Sequence, residues 1–226
     1  MKNRKEISVF VRRAFLRLLP VQIAGILVGT INAFVDNVFT GQFLGTEAMA
    51  AMSFFAPVVT MIGVLFVIVS GVHILCGKHL GAGEGDAVLS LFSTEVVFLS
   101  LCCIGVSVVC ILYRHPLAHL LGAQNRTAAL LSDYIAGYAP GIIGLVLSGT
   151  LIDFLPLNND TTRSYLGIGI MVASNFAMNL LAVPILKLGM FGMGAATSVS
   201  YLLSTVVLFW GFLSRDRVIW FRFGHF

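Results

Sequence analysis

The feature that most constrains this chain is a series of six long apolar runs that carry almost no charge. They occupy positions 18–40, 48–77, 87–112, 134–157, 164–186 and 192–214. A helix of about 20 apolar residues crosses the hydrocarbon core of a bilayer. Inside that core every backbone N–H and C=O must be paired within the protein, which a helix achieves alone. A transmembrane barrel would instead read as segments of about ten residues alternating polar and apolar, and these runs are continuous. Composition agrees: 58% of the residues are hydrophobic and 11% charged, where soluble domains carry roughly 25% charged residues. The mean hydropathy is +0.96. The predicted fold is an all-α integral membrane protein, a six-transmembrane-helix bundle.

Charge placement orients the bundle. An even number of spans puts both termini on one side, and that side gathers Lys2, Arg4, Lys5, Arg12, Arg13, Arg17, Lys78, Arg163, Arg215, Arg217 and Arg222. The other side has Arg114, Arg126 and Lys187. Cytoplasmic loops carry the excess of Lys and Arg, so both termini are expected in the cytoplasm, with the protein multi-pass in the cell membrane. Residues 1–17 are expected to be a basic cytoplasmic flank, 18–214 the six-helix lobe and 215–226 a basic cytoplasmic tail. The basic start is followed by further apolar runs, so the first run is expected to be a retained span rather than a removed signal. The connectors are short; the one over 113–133 is the longest and has room for a surface helix.

Several function classes find no support. Cys76, Cys102, Cys103 and Cys110 lie in or beside apolar runs without C-x-x-C spacing and read as small buried residues. No H-E-x-x-H, P-loop or nucleophile elbow is present, so no enzyme, cofactor or metal site is assigned. Basic residues are not interleaved with aromatics along a soluble face, which excludes a nucleic-acid footprint. The sequons at Asn125 and Asn159 read as chance matches.

The informative residues are the polar ones inside the runs, because a polar group in a span is costly unless it faces protein, water or an ion. Counting back from Asp36 by helical steps reaches Asn32, Gly29, Gly25 and Gln22 on one face of the first run. Gly25 and Gly29 also form a G-x-x-x-G pair of the kind that lets helices approach closely. Either that face lines a polar cavity with Asp36 binding a cation or proton, or Asp36 sits at headgroup level. The fifth run repeats the pattern with Gly167, Met171, Asn175 and Asn179, whose amides would serve a substrate or act as interhelical glue. The sixth adds Thr197, Ser198, Ser200 and Tyr201. Glu95 either faces a vestibule or reaches the membrane interface, Asp153 is expected at the interface, and His73 is expected as a buried, hydrogen-bonded histidine.

Four segments carry a family resemblance. They are Val35-Asp36-Asn37-Val38-Phe39-Thr40-Gly41-Gln42-Phe43-Leu44-Gly45 with the following Glu47-Ala48-Met49-Ala50-Ala51-Met52, then His79-Leu80-Gly81-Ala82-Gly83-Glu84, Asn179-Leu180-Leu181-Ala182-Val183-Pro184, and Gly192-Met193-Gly194-Ala195-Ala196-Thr197. In this order and spacing they resemble the N-terminal lobe of the multidrug and toxic compound extrusion (MATE) family, of the MOP superfamily. The resemblance implies secondary active efflux of small cationic or amphipathic compounds by H⁺ or Na⁺ antiport, with alternating access between two six-helix lobes. It implies Asp36 as the ion-coupling residue and Asn179 in the same polar network, with Gln22, Asn32, Asn175, Thr197 and Tyr201 as candidates for the polar cavity. The partners implied are the bilayer, the substrate and a second lobe, supplied by a further segment or a second copy.

Two departures stand out. Many prokaryotic relatives carry an Asp four residues after the fifth-span Asn, where this chain has Val183, and their fourth-to-fifth loop reads Asp-Gly-Asn-Pro rather than Asn158-Asn159-Asp160-Thr161. Members also have twelve spans. Two alternatives therefore stand beside efflux: a lipid-linked sugar flippase of the same superfamily, which would need a more cationic cavity, and a membrane interaction protein without transport.

Overall fold

A computed structural model describes residues 2–213 and 219–221. Among the described residues there are nine α-helices and no strand: α1 (Lys2–Phe39), α2 (Thr46–Gly63), α3 (Leu65–Ala82), α4 (Gly85–Leu112), α5 (Arg114–Leu120), α6 (Asn125–Tyr138), α7 (Ile142–Phe154), α8 (Thr161–Leu180) and α9 (Gly189–Phe209). They build six stretches long and apolar enough to cross a membrane. In chain order these are α1 from Leu19 on, α2–α3, α4, α6–α7, α8 and α9. One end of the bundle carries Lys78 and Arg163 and is called the basic end below; the other carries Arg114, Arg126 and Lys187 and is called the far end.

The second and fourth spans are interrupted helices. At Val64 the ladder tightens, the Val64 N–H reaching the Met61 carbonyl three residues back, and α3 begins. Between α6 and α7 lies a short 3-10 turn at Ala139–Gly141, where Pro140 cannot donate to the ladder. This span starts at Asn125, nine residues before the expected position 134. The charge-free criterion stopped at Asp133, yet helix α6 continues through it with one face packed on α2 and α9. The first and fifth spans end in π-helical turns at Thr40–Leu44 and Leu181–Ile185. The basic flank is helical from Lys2 and continuous with the first span; Arg215, Arg217 and Arg222 fall outside the described residues. From the tail, Ile219 is fully buried, and the Asn158 side chain both donates to its carbonyl (2.7 Å) and accepts its N–H (2.6 Å).

The tightest packing joins α6 and α7 to α9. A Cβ on Gly137 would stand 2.2 Å from the Phe191 carbonyl oxygen, and one on Gly194 would stand 2.4 Å from that of Tyr134. Gly141 and Gly144 lie as close to Ser198 and to the Tyr201–Leu202 backbone. In lipid, helix association relies on such close van der Waals contact and on interhelical hydrogen bonds. Both are present, with Ser198 donating to the Gly137 carbonyl (2.6 Å) and Thr205 to that of Gly144 (2.9 Å). The expected close approach at Gly25 and Gly29 is not found. A Cβ on Gly29 meets nothing within 4 Å and one on Gly25 only reaches Ile152 at 4.0 Å, because both glycines line a cavity instead.

Substituting Gly137 or Gly194 by Ala should therefore destabilise the bundle by about 1–3 kcal/mol or more, as over-packing does. Gly169→Ala, at a position with nothing within 4 Å, should be neutral or slightly stabilising. Thermal unfolding of the purified chain in one detergent would show the contrast as a lower midpoint for the first two variants only.

Candidate functional site

The interior face of α1 is set by Val21, Val28, Asn32, Asp36 and Phe39, all buried. It packs on α8, whose buried stripe is Gly167, Met171, Asn175 and Asn179. α9 closes the third side with Thr197 and Tyr201. These three elements enclose Asp36, which is 5% exposed and thus inside the protein. Its Oδ1 accepts from Asn179 Nδ2 (2.6 Å) and Asn175 Nδ2 (3.3 Å), and its Oδ2 from the Thr197 hydroxyl (3.1 Å). The two amides stack one helical turn apart, Asn179 Nδ2 also reaching Asn175 Oδ1 at 3.3 Å. Among the described residues no Lys, Arg or His forms an ion pair with Asp36. The carboxylate is held by three neutral donors drawn from two other spans.

Three tyrosines stand around this centre. Tyr138 and Tyr201 meet edge-on with ring centroids 6.4 Å apart, and all three lie within electrostatic reach of Asp36. Phe55 meets Tyr134 and Tyr138 edge-on, with centroids 5.3 and 5.0 Å away. The sequence reading found Tyr201 and missed the other two. The signal was available: Tyr134 and Tyr138 are four residues apart, hence on one face of α6.

Asn32 is 2% exposed, one turn along α1 from Asp36, and neither its Oδ1 nor its Nδ2 has a partner. Gln22 does not join the Asp36 network. It lies at the edge of the buried stripe and donates instead to Asp153 Oδ1 (3.1 Å) towards the basic end. Between the two groups is a cavity of about 240 Å³ lined by Gln22, Gly25, Gly29, Ser148, Asp153 and Tyr201 among apolar side chains. It carries no Lys or Arg. Val183 lies a turn beyond Asn179, in the π-helical segment, and lines a separate pocket with Phe43, Leu44 and Lys187. The fifth-span groups that bond Asp36 are Asn175 and Asn179.

Two expectations, for Glu95 and His73, are corrected. Glu95 does not reach out of the bundle: it is 4% exposed and both carboxylate oxygens lack a partner. Asp153 is half-buried and accepts a hydrogen bond from Gln22. His73 packs edge-on against Phe154 (5.3 Å), and its Nε2 is buried without a hydrogen bond.

Truncating Asn179 to Leu should cost about 1–3 kcal/mol, the penalty for taking a donor from a buried acceptor. The loss should shrink in a D36N background. A double-mutant cycle on thermal stability is expected to give a coupling of about 1 kcal/mol or more between the two residues.

Comparison with known proteins follows the same lines. The MatE family model matches residues 20–181. Curated relatives include "Probable multidrug resistance protein YoeA" of Bacillus subtilis, 27% identical over 80% of this chain and 38% of its own length. "FAD transporter" of Shewanella oneidensis is 26% identical over 90% of this chain and 46% of its own length. "Probable multidrug resistance protein NorM" of Streptococcus pneumoniae is 31% identical over 78% of this chain and 41% of its own length. The chain thus spans less than half the length of these relatives. Among solved structures, a MATE protein in the bent conformation superposes with a TM-score of 0.85 at 20% identity, over 95% of this chain and 48% of the other. A MOP superfamily transporter from Pyrococcus furiosus gives 0.82 at 20% identity, over 93% and 47%. With six spans, this fold and a family match over most of its length, the chain is a multi-pass membrane protein and belongs to the MatE family of transporters.

Proposed function

We propose that this chain forms one lobe of a proton-coupled exporter of cationic or amphipathic compounds, and that Asp36 is the group that takes up the coupling ion. The observation that carries this is the setting of Asp36: a buried carboxylate inside a span, bonded to Asn175, Asn179 and Thr197 and paired with no described basic side chain. A charge so placed is expensive unless compensated. Uptake of a cation compensates it, and the cost of the empty site couples occupancy to helix arrangement.

The geometry favours a proton as that cation. The Thr197 hydroxyl lies 3.1 Å from Asp36 Oδ2 and 3.1 Å from the Met193 carbonyl, and it has one proton for two acceptors. With Asp36 ionised, the hydroxyl donates to Oδ2. With Asp36 protonated on Oδ2, the carboxyl donates to Thr197 Oγ1, and Thr197 turns its own proton to Met193. Both states are satisfied without moving a heavy atom. Sodium would require oxygen ligands, and here both amides present nitrogen to Oδ1; turning Asn179 would offer its unpartnered Oδ1 instead. Protonation removes the charge that draws both amides to Oδ1, loosening α1 from α8 while its bond to α9 persists. The first span is then free to shift and reshape the cavity at Gly25 and Gly29. Alternating access against a second lobe would complete the cycle.

The cavity supports the substrate class. Its lining is apolar with Gln22, Ser148, Asp153 and Tyr201 as polar points and no basic residue. That suits an amphipathic cation better than the phosphates of a lipid-linked sugar, or an anionic substrate such as the one named for the Shewanella relative. A cytoplasmic position for the basic end follows from the charge asymmetry.

In a full-length context, Asp36→Asn should abolish pH-driven efflux of a fluorescent organic cation from inverted vesicles, a loss of about 100-fold or to background, one coupling step being removed. Thr197→Val should slow efflux and keep its dependence on the proton gradient. Undiminished proton-driven efflux by Asp36→Asn would refute the assignment, and a strict requirement for sodium would refute the choice of ion.

A further inference from the structure

Beyond the Asp36 centre, the basic half of the bundle holds a second set of ionisable groups that the efflux reading does not use. Glu95 of α4 is 4% exposed, and neither oxygen has a hydrogen-bond partner. It lies within electrostatic reach of Asp153 on α7 and of the fully buried Cys76 thiol on α3. Asp153 in turn feels His73 on α3, whose Nε2 is buried and unpartnered. The thiol of Cys76 is turned to the Val88 carbonyl, 3.9 Å away, so it does not serve Glu95. α1 contributes only the neutral Gln22, which bonds Asp153. On α6 the nearby ionisable groups, Tyr134 and Tyr138, face Asp36 instead. Arg114, His115 and His119 of α5 follow the opposite, far end of α4. No cation on the described residues forms an ion pair with Glu95 or Asp153.

We propose that Glu95, with Asp153 and His73, forms a second proton-binding site in the basic half of the lobe, separate from Asp36. The His73 ring meets Phe154 edge-on (5.3 Å), Phe154 meets Phe92 (5.0 Å), and Phe92, one turn before Glu95 on α4, stacks on Phe212 (4.8 Å). Like charges within electrostatic reach of one another, as Glu95 and Asp153 are, disfavour joint ionisation. A metal ion is a poor occupant, because no three His, Cys, Asp or Glu side chains among the described residues converge on one point. A proton needs only one oxygen. It passes from hydronium to a Glu95 oxygen, one O–H bond breaking as the other forms, and it returns to water by the reverse step. Asp153 opens on the cavity that reaches to Tyr201. Gln22 lies fourteen residues before Asp36, so at 1.5 Å per residue the two centres are about 20 Å apart along α1. The inner site therefore titrates on its own and does not rest on the role given to Asp36.

Infrared difference spectroscopy of the chain in lipid nanodiscs, with carboxyl-labelled glutamate, tests this directly. The expected result is a pH-dependent carboxylic C=O band that shifts with the glutamate label, disappears in E95Q and persists in D36N. In D153N its midpoint should move to lower pH by about one unit, as a like charge is removed. If E95Q does not fold, the label shift together with the D153N and D36N responses carries the same test. A glutamate band that survives E95Q, a midpoint indifferent to D153N, or a band displaced by millimolar sodium at constant pH and ionic strength would each overturn the proposal.

Discussion

The seam between α6–α7 and α9 is the contact on which the rest of the structure depends. Gly137, Gly141 and Gly144 on one side meet Gly194, Ser198 and the Tyr201 backbone on the other at distances no side chain larger than hydrogen allows. A bilayer supplies no hydrophobic drive between helices, so backbone approach and the hydrogen bonds it permits must hold them. That seam fixes where α9 stands. With α9 fixed, Thr197 faces Asp36 and Tyr201 faces the cavity. The polar centre is therefore positioned by packing some distance from it.

The polar chemistry divides along the membrane normal. Towards the far end, a single carboxylate is held by two amides and a hydroxyl that satisfy it. Towards the basic end, Glu95 and His73 keep unsatisfied atoms in an apolar wall. At the satisfied centre a change of charge is met by a turn of the Thr197 hydroxyl and a weaker hold of the two amides. An unsatisfied one stores free energy that a proton can release. Between them the two glycines of α1 keep a passage open where a pair of packed helices was expected.

Most of the architecture was legible because hydrocarbon imposes a strict length and polarity on each span, and the runs met both. The Asp36 constellation was legible because helical spacing put Asn175 and Asn179 on one stripe and Asp36 on another, each otherwise small or apolar. What the sequence concealed depends on contacts between distant segments. Gly25-x-x-x-Gly29 has the spacing of a packing motif, but no partner backbone lies opposite. Glu95, Asp153 and His73 each look like an isolated exception along the chain, and only the fold of α3, α4 and α7 gathers them. The start of the fourth span was obscured by Asp133, since a single charge near a helix end does not stop a helix. Val183 stands one turn beyond Asn179, in the π-helical segment, and the fifth-span groups bonded to Asp36 are Asn175 and Asn179.

The second span, described above as α2 and α3, has a further consequence for the lipid around it. From Thr46 to Ala82 it contains 37 residues, about 55 Å of helix at 1.5 Å per residue. The hydrocarbon core measures about 30 Å, and the tilt usual for transmembrane helices, 0 to about 40°, shortens the rod too little to fit. Several turns must stand in the headgroup layers, where the Glu47–Arg126 pair at one end and Lys78 at the other are at home. Val64 lies midway, with 18 helical residues on either side. Each half is then a lever with one arm in the interface and its fulcrum near the bilayer centre. A thicker or thinner membrane changes the leverage on both, which makes the lipid environment a mechanical input to the wall that carries His73 and Cys76.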